Sequence, residues 1–264
     1  MIRELRARDP LLFWTGAVQL LALLVVTLIS ISDTRLILGI NPWIKPMKFL
    51  TSIAIFLWTV AWFMPETQNK PTRRGLVRWT IAVAMTIEIV LIILQSGRGT
   101  TSHFNITSPV DVAVFAVMGI TISISTMAMM LFLWILRRDT PPQRAGYLWG
   151  VRLGVSLFVI ASWLGFVIVA NNGHTVPAPD GGPGLPFVNW STTGGDLRIV
   201  HFFGMHAMQA LPILGFLLDR AMGGAKPLGL SIPAKLVIAT GILWLAAMSG
   251  LLMLALQGRP LLAL

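Results

Sequence analysis

Residues 174–209 read HTVPAPDGGPGLPFVNWSTTGGDLRIVHFFGMHAMQ. A Gly/Pro-rich loop runs here without a break into a helix that carries His201, His206 and Gln209. Three of the four histidines lie in this one stretch. Very apolar sequence flanks it, residues 147–170 before the loop and 210–219 after it. A polar loop set between apolar runs of this length predicts a multi-pass membrane protein with a polar site near one membrane face.

The whole chain supports that reading. It is 55% hydrophobic and 11% charged, with a mean hydropathy of +0.78. Soluble domains carry about 25% charged residues, so lipid must cover part of this surface. Seven apolar runs are long enough to cross a ~30 Å hydrocarbon core: 10–31, 44–64, 78–97, 110–136, 147–170, 198–219 and 233–256. Backbone groups in lipid must be satisfied within each segment, which makes every run a helix. The expected fold is an all-α integral membrane protein, a seven-transmembrane-helix bundle forming a single domain, with a long outer loop over 171–197. The basic start and apolar centre of the first run resemble a signal peptide. The run is too long and lacks a small-residue cleavage site, so a signal-anchor is expected instead.

Charge sets the expected orientation, with the N-terminus cytoplasmic and the C-terminus extracytoplasmic. One side then carries Arg3, Arg6, Arg8, Lys70, Arg73, Arg74, Arg78, Arg137, Arg138, Arg144, Arg152, Arg220, Lys226 and Lys235. The other keeps Arg35, Lys45, Lys48, Arg98, Arg198 and Arg259. This asymmetry fits the positive-inside rule and places the protein in the cell (plasma or inner) membrane. The net charge of +10 is therefore a topology signal, with the lipid bilayer and anionic headgroups on the cytoplasmic face as partners. A nucleic-acid footprint would be a clustered stripe on a soluble face. There is no cysteine, which excludes disulfides, thiolate metal sites and cysteine nucleophiles. The short cytoplasmic loops leave no room for a further domain.

Helix packing has its own signals. Gly150 with Gly154, and Gly119 with Ser123, make small-xxx-small pairs that let backbones approach closely. Packing within the bundle is the first expectation for them, and a homo-oligomer interface the second. Pro212 interrupts the sixth run.

The unusual polar residues fall on the expected outer side. They are Lys45, Lys48, Gln95, Arg98, Ser102, His103, Asn105, Asp111, His174, Asp180, Asp196, Arg198, His201, His206 and Gln209. Only Glu88 lies deep, ten residues before Arg98, or ~15 Å along a helix. At about 100° per residue, Glu88 and Gln95 share one face. Arg198, His201, His206 and Gln209 span an arc of about 140°. Ionisable groups inside a membrane face the bundle interior or water. Plainer roles stand beside these. Lys45 and Lys48 can snorkel to headgroups, Asp196 suits the N-cap of the sixth helix, and His206 suits apolar packing. Asn105 and Asn189 open sequons, which matter only in a secretory pathway.

Two chemistries follow. In the first, His103, His201, His206 and His174 bind zinc, iron or haem b for redox or hydrolytic work, with Glu88 or Asp196 as base. Lys45, Lys48, Gln95, Arg98, Ser102, Asn105, Arg198 and Gln209 then bind substrate or haem propionates. There is no HExxH, and His201 to His206 is i,i+5, which splays the rings. A Ser102–His103–Asp196 hydrolase is a variant of this scheme. In the second, the same outward-facing pocket is metal-free and serves a transporter or ligand-binding protein, with Glu88 as the proton- or ion-coupling group. A rhodopsin-like reading fails because the seventh run has no central lysine; Lys235 sits at its start.

Overall fold

The computed structural model describes residues 1–67, 70–139, 145–222 and 231–263. The side chains of residues 137–139 and all of Arg144 and Lys226, counted above for orientation, lie outside the described residues. The chain divides into two compact units, Met1–Phe132 and Leu133–Leu264.

The first unit opens with α1 (Ile2–Arg8), a short helix that hydropathy alone does not mark. Asp9 ends it in an extended conformation and caps the next helix, its carboxylate accepting from Leu12 N at 3.1 Å. Pro10 takes the first position of α2 (Pro10–Ser32), where the missing N–H costs nothing. There follow α3 (Ile44–Phe63), a 3₁₀ turn (Met64–Thr67), α4 (Pro71–Gly97) and the first part of α5 (Pro109–Asp139). α4 begins well before the apolar run that predicts it. Hydropathy marks only the lipid-embedded part, and the helix continues through Arg73, Arg74 and Arg78. Leu21, Leu24, Val25 and Leu28 on α2 are all more than half exposed, a surface that water would not tolerate and lipid would cover.

The second unit holds α6 (Ala145–Ala170), α7 (Leu197–Met222) and α8 (Ile232–Leu256). Between α6 and α7 the outer loop folds into a two-stranded antiparallel ribbon, β1 (Thr175–Val176) with β2 (Gly195–Asp196). It seats on the end of α8: a side chain at Gly195 would lie 1.9 Å from the Ala255 carbonyl. The core between α6, α7 and α8 is Leu157, Ala161, Val200, Ala207, Leu211 and Met248. Trp244 stacks on Phe203, ring centroids 4.4 Å apart, and donates to the Phe203 carbonyl at 3.1 Å.

The glycines of α6 make this packing possible. A Cβ on Gly150 would sit 2.4 Å from the Leu211 carbonyl oxygen, and one on Gly154 would sit 2.8 Å from that of Ala207. The Gly150–Gly154 pair is thus a contact between α6 and α7 within one unit. Beside it, Asp219 of α7 accepts from Gly146 N at 3.1 Å and Tyr147 N at 2.8 Å, capping α6 from a neighbouring helix. Gly119 differs. A Cβ there meets nothing within 4 Å, and Ser123 donates to the Gly119 carbonyl of its own helix. Among the described residues no neighbouring backbone approaches Gly119.

Together the seven long apolar helices suggest a multi-pass, all-α membrane protein. Gly150→Ala forces a methyl against fixed backbone and is expected to cost about 1–3 kcal/mol, as overpacking does. Gly119→Ala should stay within about 0.5 kcal/mol of the parent. Thermal unfolding of both variants in one detergent checks the contrast.

Candidate functional site

In the first unit the polar groups gather where α3, α4 and α5 meet the loops over 33–43 and 98–108. Asp33 organises the first loop. It accepts from Trp43 Nε1 at 2.7 Å and from Arg35 Nη2 at 2.6 Å. Arg35 reaches on to the Gly97 carbonyl at 3.0 Å. The hydrogen bonds from the Arg35 side chain and backbone hold the Asp33 carboxyl well below the usual carboxylate range.

Asp111 organises the second loop. It accepts from Gln95 Nε2 at 2.9 Å, Arg98 Nη1 at 2.7 Å, Ser108 Oγ at 2.5 Å and Thr107 Oγ1 at 3.1 Å. Asn105 ties the same loop, donating to Thr100 Oγ1 at 2.7 Å and accepting from Thr107 N at 3.1 Å. Gln95, Arg98 and Asn105, singled out above as substrate-binding, are thus engaged in joining α4 to α5 and shaping the loop between them.

Lys45, Ser102, His103 and Glu88 form the other part of this site. Lys45 Nζ and Ser102 Oγ each lie 3.1 Å from His103 Nδ1. An ammonium can only donate, so His103 Nδ1 accepts and the ring proton of neutral His103 sits on Nε2. Phe49, Phe104 and Phe115 surround the imidazole, each centroid 6.2 Å from it. Lys48 follows Lys45 on α3 and is half-buried. Below them Glu88 is only 4% exposed, and it shares its buried face with Gln95 as the spacing predicts. Lys45 is the charge that acts on it. Its hydrogen-bond partner among the described residues is Thr121 Oγ1, at 3.3 Å. Thr121 Oγ1 also lies 2.9 Å from the Val117 carbonyl and 3.1 Å from that of Met118.

Asp196 and Asp180 anchor the second unit. Asp196 caps α7, accepting from Arg198 N at 3.0 Å. It also accepts from Ser191 N at 2.8 Å and from Arg198 Nε at 2.9 Å. Both oxygens are therefore engaged in holding the loop to the helix, which is the capping role and not the geometry of a poised base. Arg198 donates further to the Asn189 carbonyl. Asp180 accepts from His174 N at 2.9 Å, Thr175 N at 3.0 Å and His174 Nδ1. Partial burial opposes its ionisation, but the His174 hydrogen bonds and charge outweigh it and bring the carboxyl down to about 2.

His201 donates from Nδ1 to the Ala161 carbonyl at 2.7 Å. Its Nε2 therefore carries a lone pair, and His174 is close enough for its charge to act on His201. His206 stacks edge-on with Phe202 at 4.3 Å and bonds Gln209 one turn on, the packing role named above. Among the described residues no three His, Asp or Glu side chains converge as a metal site would require. His103 lies in the first unit and His174, His201 and His206 in the second. A ligating imidazole normally donates its other N–H to a carbonyl or carboxylate; His201 does so, and His103 does the reverse.

Three structural partners are hard to foresee from sequence. Thr121 sits among other hydroxyls in the run GITISIST, and membrane hydroxyls commonly satisfy themselves on their own helix. Asp219 is a lone acid before Arg220, and the Ala161 carbonyl carries no sequence signal at all. No protein-family model, curated protein or solved structure matches the chain.

The Asp180 anchor is pH-dependent. The carboxyl falls from its ordinary 3.8 to about 2 on folding. Its stabilising effect is thus fully present above about pH 4 and is lost as pH falls through about 2. Amide exchange at His174 and Thr175 should stay protected down to about pH 4 and lose that protection as pH falls through about 2. Asp180→Asn should lose that protection at every pH; unchanged protection would remove Asp180 as the anchor.

Proposed function

We propose that this protein is a proton- or ion-coupled membrane carrier for a small anionic ligand, with Glu88 as the coupling group. Its N-terminus lies in the cytoplasm and its C-terminus outside, in a cell membrane, as the basic residues of α1 and of the start of α4 favour. The observation that carries the reading is Glu88 itself. It is a buried carboxyl ~15 Å below the end of α4, with one hydroxyl partner and no ion pair among the described residues. A permanently ionised group placed there would cost a few kcal/mol.

Thr121 supports a two-state role. When Glu88 is protonated it donates to Thr121 Oγ1, and the Thr121 proton stays on the Val117 carbonyl. When Glu88 is ionised, Thr121 turns its proton to Glu88. Rotation of one hydroxyl thus accommodates either state. Lys45 links this switch to His103, whose Nε2–H and aromatic surround suit an anion arriving from the outer side. Protonation of Glu88 removes the negative charge nearest Lys45, which couples the anion's stay to a proton.

A second reading rests on His201. Its Nδ1–H···O=C bond leaves Nε2 as a lone pair, the orientation of an axial haem or metal ligand. The haem reading requires a Soret band in protein purified without added metal, and its loss in His201→Ala. A colourless, metal-free sample would remove it.

Proteoliposomes containing a pH-sensitive dye test the carrier. With imposed gradients of small carboxylates or inorganic phosphate, the parent should move protons with the anion. Glu88→Gln should lower that coupled flux at least tenfold, while Glu88→Asp retains part of it. Undiminished flux in Glu88→Gln would sink the assignment.

A further inference from the structure

We infer that α1 and the start of α2 form a binding groove for an anionic phospholipid, with one acyl chain in the groove and the phosphate at Arg6. The inference is independent of the carrier reading. α1 is amphipathic: Ile2 and Leu5 share one side, exposed Arg6 borders it next to Ile2, and exposed Arg3 lies further round. Beneath the apolar side lies a groove of about 230 Å³. Ile2, Leu5, Phe13, Ala17, Leu20 and Trp58 line it. Phe13, Ala17 and Leu20 follow one another along one stripe of α2, ~10 Å long at 1.5 Å per residue. That is the shape of an acyl chain lying along a helix, in a position that faces the hydrocarbon.

The rim supplies the charge. The Arg6 guanidinium lies over the Trp14 ring, 5.4 Å from its centroid, and Trp14 packs edge-on against Phe13 at 5.2 Å. The cation and the groove are therefore continuous through two rings. Trp14 is about half exposed, as an interfacial tryptophan is. Arg8 is occupied elsewhere: it bonds Glu4 at 2.9 Å and the Trp62 carbonyl at 2.8 Å. Arg6 has no ion pair among the described residues. A phosphodiester would give Arg6 an acceptor, and the basic excess at this end of the helices favours an anionic headgroup over a zwitterionic one.

The test uses the full chain, delipidated in a mild detergent. Thermal unfolding is measured with phosphatidylglycerol, phosphatidylcholine of the same acyl chains, or glycerol 3-phosphate. Phosphatidylglycerol should raise the midpoint at least twice as far as phosphatidylcholine, and glycerol 3-phosphate should not raise it. Arg6→Gln should abolish the difference between the two lipids. Ala17→Phe, which fills the groove, should abolish stabilisation by both. Equal effects of the two lipids on the parent would overturn the inference, as would stabilisation by glycerol 3-phosphate alone. Arg6→Gln is an exposed change and decides the matter even if Ala17→Phe does not fold.

Discussion

Hydrocarbon offers no hydrogen bonds, so a polar group placed in it must be satisfied by the chain itself. Four buried aspartates obey this rule at helix ends. Asp9 caps α2, Asp111 sits in the first turn of α5 and gathers Gln95 and Arg98, Asp196 caps α7, and Asp219 caps α6 from across a helix pair. Each meets backbone N–H groups or side-chain donors where helices leave them unfilled. Glu88 departs from the pattern. It lies mid-helix, where backbone N–H groups are already used, and its one described hydrogen bond is to a hydroxyl that has two carbonyls beside it. The contrast sets Glu88 apart from the four capping aspartates.

The seven spans were legible because each needs about 20 apolar residues and nothing in an ordinary loop imitates that. α1 was not, because seven residues of which three are Arg and one is Glu carry no hydropathy signal. The start of α4 was displaced for the related reason that a helix outlasts the lipid that stabilises it. Small-residue pairs show the limit of local pattern. Gly150–Gly154 and Gly119–Ser123 are alike as text, yet among the described residues Gly150 and Gly154 meet a neighbouring backbone and Gly119 does not. What decides is the partner surface, which here is Ala207 and Leu211 on α7.

The site divides in the same way. Helical spacing alone put Glu88 and Gln95 on one buried face and Asp196 at the head of α7. Spacing could not say that Gln95 and Arg98 would converge on Asp111, because that depends on the loop between α4 and α5 closing through Asn105. Nor could it find Thr121, since a hydroxyl that can bond its own helix announces no external partner.

Histidines illustrate the point most sharply. Four of them on the outer half look interchangeable, and a metal site was the natural sum. Their neighbours distinguish them by which nitrogen holds the proton. His201 gives its Nδ1 proton to a carbonyl, which leaves the lone pair on Nε2. His103 receives a proton donor, Lys45, on Nδ1, which leaves the ring proton on Nε2. The first can bind a cation or an iron; the second can bind an anion or pass on a proton. Residue type alone therefore overcounts ligands, and the hydrogen-bond partner of each ring is the quantity that assigns its chemistry. On that measure His103 accepts at Nδ1 from Lys45, whereas His201 and His174 each give the Nδ1 proton to an acceptor.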